Sequence, residues 1–179
     1  QNQSLEILAI YNLAIFLTMP IGFLLTTFNL VWLPIFFKEK SLYVNFKRTK
    51  FVFLTLGSLF LLSSVVIGII VYILVHFKGI PISYLSALKL FPFIVISVMV
   101  DGFCQLLNNF VVILERTWFT LLLTISVGFL MFFMSRWLIP IYGIKGAAYV
   151  LILMSTFRFS SLLIYINNQQ GKIAVSAKI

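Results

Sequence analysis

Charge is scarce in this chain of 179 residues: Asp, Glu, Lys and Arg together make 9%, and Asp and Glu number 4. Of these acids, Asp101 and Glu115 stand fourteen residues apart in one apolar run, about 21 Å if helical, which is too far for an acid/base pair. One His and one Cys cannot assemble a metal cluster or a nucleophile–base system. The sequence also has no HExxH, no CxxC and no glycine-rich phosphate loop, so no enzyme is expected and no catalytic, metal-binding or cofactor-binding residues are assigned. A lone Cys104 excludes a disulfide within the chain, and inside an apolar run it reads as packing. Strict apolar/polar alternation in segments of about ten residues is missing, which excludes a transmembrane barrel. There is no soluble domain, internal repeat or low-complexity tract.

What the chain has instead is apolar length. Hydrophobic residues make 62% of it and the mean hydropathy is +1.14, against roughly 45–50% apolar residues in an ordinary soluble domain. This is the composition of an integral membrane protein, and helices are the default because lipid offers backbone groups no other partners. Five runs, at about 5–37, 51–77, 84–114, 118–139 and 143–166, reach or exceed the ~20 residues that span a bilayer. The expected fold is therefore all-α, a polytopic bundle of five spans over 1–168 followed by a frayed cytoplasmic tail at 169–179. Ser4 is the expected N-cap of the first helix; Pro20 predicts a kink, and Pro34 beside Trp32 an interfacial end. Gln1 to Glu6 has neither a basic region nor an initiating Met, so it is read as neither a signal peptide nor a natural start, and the chain as a fragment or one truncated upstream.

The formal net charge of +9 would point to nucleic acid in a soluble protein. Here the cations gather at the ends of apolar runs, so they read as topology signals and contacts to lipid headgroups, with no nucleic acid partner. The most basic segment, Lys38 to Lys50, is expected to be a cytoplasmic loop by the positive-inside rule. Alternation then puts the turn from His76 to Ser83 outside, Glu115 and Arg116 inside, Arg136 and Lys145 at the outer face, and the C-terminus in the cytoplasm. Ser64 and Gly68 form a small-residue pair of the kind that lets helices approach.

Polar residues inside the runs are the candidate site. Asp101, Gln105 and Asn108 follow at steps of four and three, which places them on one helical face in the third run. A carboxylate at that depth costs a few kcal/mol, roughly, unless water, a partner charge or a hydrogen bond meets it. Arg158, alone near the centre of the fifth run, is the partner at hand. The two helices run the same way, and Asp101 and Arg158 lie ~25 and ~22 Å from their outer starts, so the charges can meet. Two roles are open: a structural ion pair, or a polar pathway in which Arg158 faces a cavity with its planar fork toward phosphate or carboxylate. Lys89 reads as a snorkelling side chain and His76 as an interfacial one.

The segment Leu138-Ile139-Pro140-Ile141-Tyr142-Gly143-Ile144-Lys145-Gly146-Ala147-Ala148 predicts a tight hairpin between helices four and five. It resembles the IPxYGIxGAA hairpin before the last helix of the polysaccharide flippases, the O-antigen (Wzx-type) branch of the multidrug/oligosaccharidyl-lipid/polysaccharide exporter superfamily. Leu8 to Ala14, with Tyr11 and Ala14, is similar to that family's GxYxxA helix start, with Ala9 or Ile10 in place of its Gly. Trp32-Leu33-Pro34 is similar to its cytoplasmic helix end, and Tyr84, Ala87, Leu90 and Pro92 to a later helix start. The resemblance implies the end of the C-terminal lobe of a two-lobed flippase in the cell inner membrane. Its partners would be membrane lipid, the missing N-terminal helices and an undecaprenyl-diphosphate-linked oligosaccharide, carried outward for surface polysaccharide biosynthesis. Beside the resemblance, polarity and depth make Arg158, Asp101, Gln105, Asn108 and Asn12 the substrate or cavity candidates, with a proton or sodium as a possible coupling ion at Asp101. The alternatives are a drug or cation-coupled exporter of the same superfamily, and the membrane part of a polysaccharide polymerase or ligase. The short outer turns speak against the last. A noncatalytic membrane anchor or assembly subunit would instead tolerate apolar replacement of Asp101 and Arg158 together.

Overall fold

A computed structural model describes residues 2–39, 42–77 and 85–176. Among them the chain is all helical: α1 (Asn2–Lys38), α2 (Leu42–His76), α3 (Leu85–Ile113), α4 (Thr117–Tyr142) and α5 (Ile144–Ser176). Each contains a stretch long and apolar enough to cross a membrane. Of the turn expected from His76 to Ser83, His76 closes α2 and Phe77 follows it, and the rest lies outside the described residues.

Three boundaries differ from the sequence expectation. Ser4 stands inside α1 rather than capping it, whereas the far end of α1, at Lys38, falls within a residue of the expected one and the helix carries both Pro20 and Pro34 inside it. Each proline withdraws one backbone donor, a loss a long membrane helix tolerates. Nor is Lys38 to Lys50 a loop, since α2 begins at Leu42 and carries Lys47, Arg48 and Lys50 on its opening turns. The device behind this tight connection is Asn45, which is buried and donates from Nδ2 to the carbonyls of Phe36 at 3.0 Å and Glu39 at 3.1 Å. Those carbonyls belong to the end of α1, where helix geometry leaves acceptors unpaired. Thr49 then bonds back to the Asn45 carbonyl at 2.8 Å. Finally, α5 continues to Ser176 instead of fraying after Ile166; Gln169, Gln170, Lys172 and Ala174 are good helix formers that add to an existing helix without a new nucleation step.

Helix α3 is the axis of the bundle and touches all four others. It runs parallel to α1 and α5, as paired contacts at both ends show. Ala14, Ala87, Leu90, Ile94 and Ala148 pack together at the starting ends, while the ring of Phe36 meets that of Phe110 edge-on at 4.7 Å toward the finishing ends of α1 and α3. The α1–α3 seam is close because Gly102 leaves room for Leu25: a Cβ at that position would overlap the Leu25 side chain. Helix α4 packs on α5 through the hairpin expected from Pro140 to Ala148. Gly143 turns with φ +59°, and Gly146 lies against the Leu138 carbonyl, where a side chain would strike backbone. By contrast, Ser64 and Gly68 bring no helix near: nothing lies within 4 Å of a Gly68 Cβ, and Ser64 bonds to its own helix at the Phe60 carbonyl, 2.6 Å away.

Candidate functional site

The polar face of α3 lies against α5 and the start of α4. Ser97, Asp101, Cys104 and Asn108 follow at steps of four, three and four, which keeps them in one stripe, ~16 Å long. Ser97 and Ser155 share a buried hydrogen bond of 2.9 Å across the α3–α5 seam. The Cys104 thiol contributes a weak contact to the Ser155 carbonyl at 3.9 Å, and so behaves as the packing residue the sequence indicated. Ser155 also interacts with the Asp101 carboxylate. Three residues further along α5, on the same side of that helix, comes Arg158.

Asp101 and Arg158 stand on the two helices of this seam, and the Arg158 charge acts on both Asp101 and Cys104. They do not close a direct ion pair. Among the described residues the close pair is Arg48–Glu39 at 3.5 Å, at the α1–α2 connection. Both Asp101 and Arg158 are half-buried, so two opposite charges sit near each other, neither locked to the other nor fully withdrawn from what lies beyond the seam.

The other candidates divide. Asn108, half-buried, accepts a 2.7 Å hydrogen bond from the Thr120 hydroxyl and so ties α3 to α4. Gln105 is exposed one turn beyond Asp101 on the same face. Asn12 does not join them. It is exposed on α1 near the level of Ala14, which packs on Leu90, and Leu90 is eleven residues or ~16 Å before Asp101 along α3. Its place in the candidate cavity is corrected accordingly: shared polarity marked Asn12, but its helix carries it to a different height. Lys89 and His76 are both exposed, as expected of side chains at the rim.

Sequence reasoning missed three features of the polar interior. Asn109 donates to the Asn29 Oδ1 at 2.9 Å, an amide pair between α3 and α1, and one turn along α1 the indole nitrogen of Trp32 is buried without a hydrogen-bond partner. The hydroxyl pair Ser97–Ser155 was missed as well. Residue type gave no signal for either pairing, because both depend on the register of helices far apart in sequence. Among the described residues no three His, Cys, Asp or Glu side chains converge as a metal site would require.

The five apolar helices are those of a multi-pass membrane protein, and among the described residues their α3–α5 seam brings a carboxylate and a guanidinium near one another. Comparison with protein-family models, with curated proteins and with solved structures found no match to this chain.

Proposed function

We propose that this chain is part of a membrane transporter that moves a lipid-linked oligosaccharide, of the undecaprenyl-diphosphate type, from the inner to the outer leaflet of the cytoplasmic membrane. The observation that carries the reading is the α3–α5 seam, with its half-buried Asp101 and Arg158 unlocked from one another and bordered by Ser155, Gln105 and Asn108. An intramembrane charge is costly to keep, and one left free to change partners suits a pathway better than a rivet. A diphosphate needs a cation with a forked donor, and the attached sugars need amides and hydroxyls, while the polyprenyl tail stays in lipid. The hairpin from Ile139 to Ala148, similar to that of the polysaccharide flippases, adds a second line of support. In this reading upstream helices of the same protein complete the cavity, the basic end of the bundle faces the cytoplasm, Arg158 engages the diphosphate, and Asp101 exchanges between Arg158 and a coupling proton or sodium ion.

The test is export of surface polysaccharide from cells carrying Arg158→Ala. Export is expected to be lost while the protein still inserts at wild-type levels, with partial activity in Arg158→Lys, which keeps the charge but not the fork. Wild-type export from Arg158→Ala would remove Arg158 from the pathway, and full export from the double variant Asp101→Leu/Arg158→Leu would reduce the seam to packing.

A further inference from the structure

A second feature lies about a third of a turn around α3 from Asp101, at Leu107. Helices α2 and α5 both lean on α3 yet leave a gap between themselves, bridged by Phe53 and Phe159 with ring centroids 6.3 Å apart. On the basic side of that bridge a groove of about 150 Å³ opens, with Phe46, Thr49 and Phe53 of α2 on one wall, Leu107 of α3 as floor, and Phe159 and Leu163 of α5 on the other wall. Its surface is almost wholly apolar, because Thr49 turns its hydroxyl onto the Asn45 carbonyl. Lys50 stands at the rim, its ammonium 4.9 Å from the centre of the Phe46 ring.

We infer that this groove holds one acyl chain of an anionic phospholipid whose phosphate is met by Lys50 and Lys47. Three observations converge on that occupant. Depth comes first: Leu107 lies six residues before Ile113 and Leu163 six before Gln169, where the apolar spans of α3 and α5 end, and Phe46 and Phe53 lie two and nine residues after Val44, where that of α2 begins, so all three walls fall within ~14 Å of the basic end of their spans. That is the height of the upper acyl region of one leaflet, just beneath its phosphates. Charge comes second. Arg48 is engaged by Glu39 at 3.5 Å, whereas Lys47 and Lys50 are exposed and make no ion pair with a described residue. Size is the third: a dry cavity of roughly 150 Å³ accepts a guest as large as benzene, which corresponds to a short run of methylenes rather than a headgroup.

Lipid tails are as apolar as the groove, so filling it gives little preference over the surrounding bilayer. Selectivity therefore comes from the headgroup, at about fivefold per basic residue near the membrane surface. The experiment is native mass spectrometry of the whole chain released from mixed phosphatidylglycerol and phosphatidylcholine micelles, with lipid adducts counted. Wild type is expected to retain phosphatidylglycerol over phosphatidylcholine. Lys47→Ala/Lys50→Ala should lose about 25-fold of that preference at most, Lys47→Arg/Lys50→Arg should keep it, and Leu163→Trp, which fills the groove without touching charge, should lose the adduct. Both lysines are exposed, and circular dichroism checks that each variant remains helical. Equal retention of the two lipids by wild type, or an adduct unchanged in Leu163→Trp, would overturn the proposal. So would unlabelled phosphatidylglycerol failing to displace its deuterated form while undecaprenyl phosphate succeeds, since the groove would then serve a polyprenyl lipid.

Discussion

A hydrogen bond inside a membrane is judged against what its partners would do without it. Asn109 is buried and Asn29 half-buried, and their 2.9 Å amide bond joins α1 to α3. Removing one side chain leaves the other amide facing apolar neighbours, while removing both replaces the pair with packing. Measured couplings of this type in membrane helices average about 0.6 kcal/mol and reach about 1.7. Asn109→Leu alone is expected to destabilise the bundle by roughly 1 kcal/mol, and Asn29→Leu/Asn109→Leu to recover much of that loss. Unfolding in mixed detergent micelles reads both, and strictly additive single-variant losses would show that the two amides are not coupled.

At the scale of helices, glycine separates contacts that hold the bundle from those that only look as if they should. Gly68 has nothing within 4 Å of a new side chain, so Gly68→Ala is expected to be neutral or to stabilise by up to ~1 kcal/mol through helix propensity. At Gly102 the Leu25 side chain must move, and at Gly146 the obstacle is the Leu138 backbone, which cannot. Gly102→Ala should cost about 1–3 kcal/mol, the usual penalty for overpacking. Leu25→Ala should relieve part of that cost, whereas no single side-chain truncation should relieve Gly146→Ala. Thermal melting in detergent orders the three, and a Gly68→Ala variant less stable than Gly102→Ala would contradict the observed seams.

The same contrast explains what could be read beforehand. Five spans were legible because each is a long apolar run, and the Pro140 to Ala148 hairpin because its glycines mark the turn. The α3 stripe was legible too, since Asp101, Gln105 and Asn108 share one helical period. The first turns of α2 escaped because Val44 to Lys50 is amphipathic: Asn45 and Thr49 turn inward while Lys47, Arg48 and Lys50 point out, a pattern that average hydropathy reads as a loop. Ser97–Ser155 and Asn29–Asn109 escaped for a different reason. Serine and asparagine recur in several of these helices, and only their relative register decides which of them meet.

At the scale of the molecule, the buried apolar core follows α3, while much of α2 and α4 is apolar and exposed. In water so large an apolar surface would aggregate; in a bilayer it is the surface that lipid or further helices cover. The three tryptophans sample that division, because Trp137 is 76% exposed, Trp118 is 52% exposed and Trp32 is 8% exposed. In single-tryptophan variants reconstituted with lipids brominated near the carbonyl end of the chain, Trp137 and Trp118 should be quenched strongly and Trp32 weakly. Because Trp118 begins α4 and Trp137 lies near its end, bromine confined to one leaflet should reach one of them and not the other. Equal quenching of both from a single leaflet would mean that α4 lies along the surface instead of spanning it, and the five-span bundle would fall with it. Strong quenching of Trp32 would have a narrower meaning, that the α1–α3 seam opens in lipid and exposes the Asn29–Asn109 pair it now encloses.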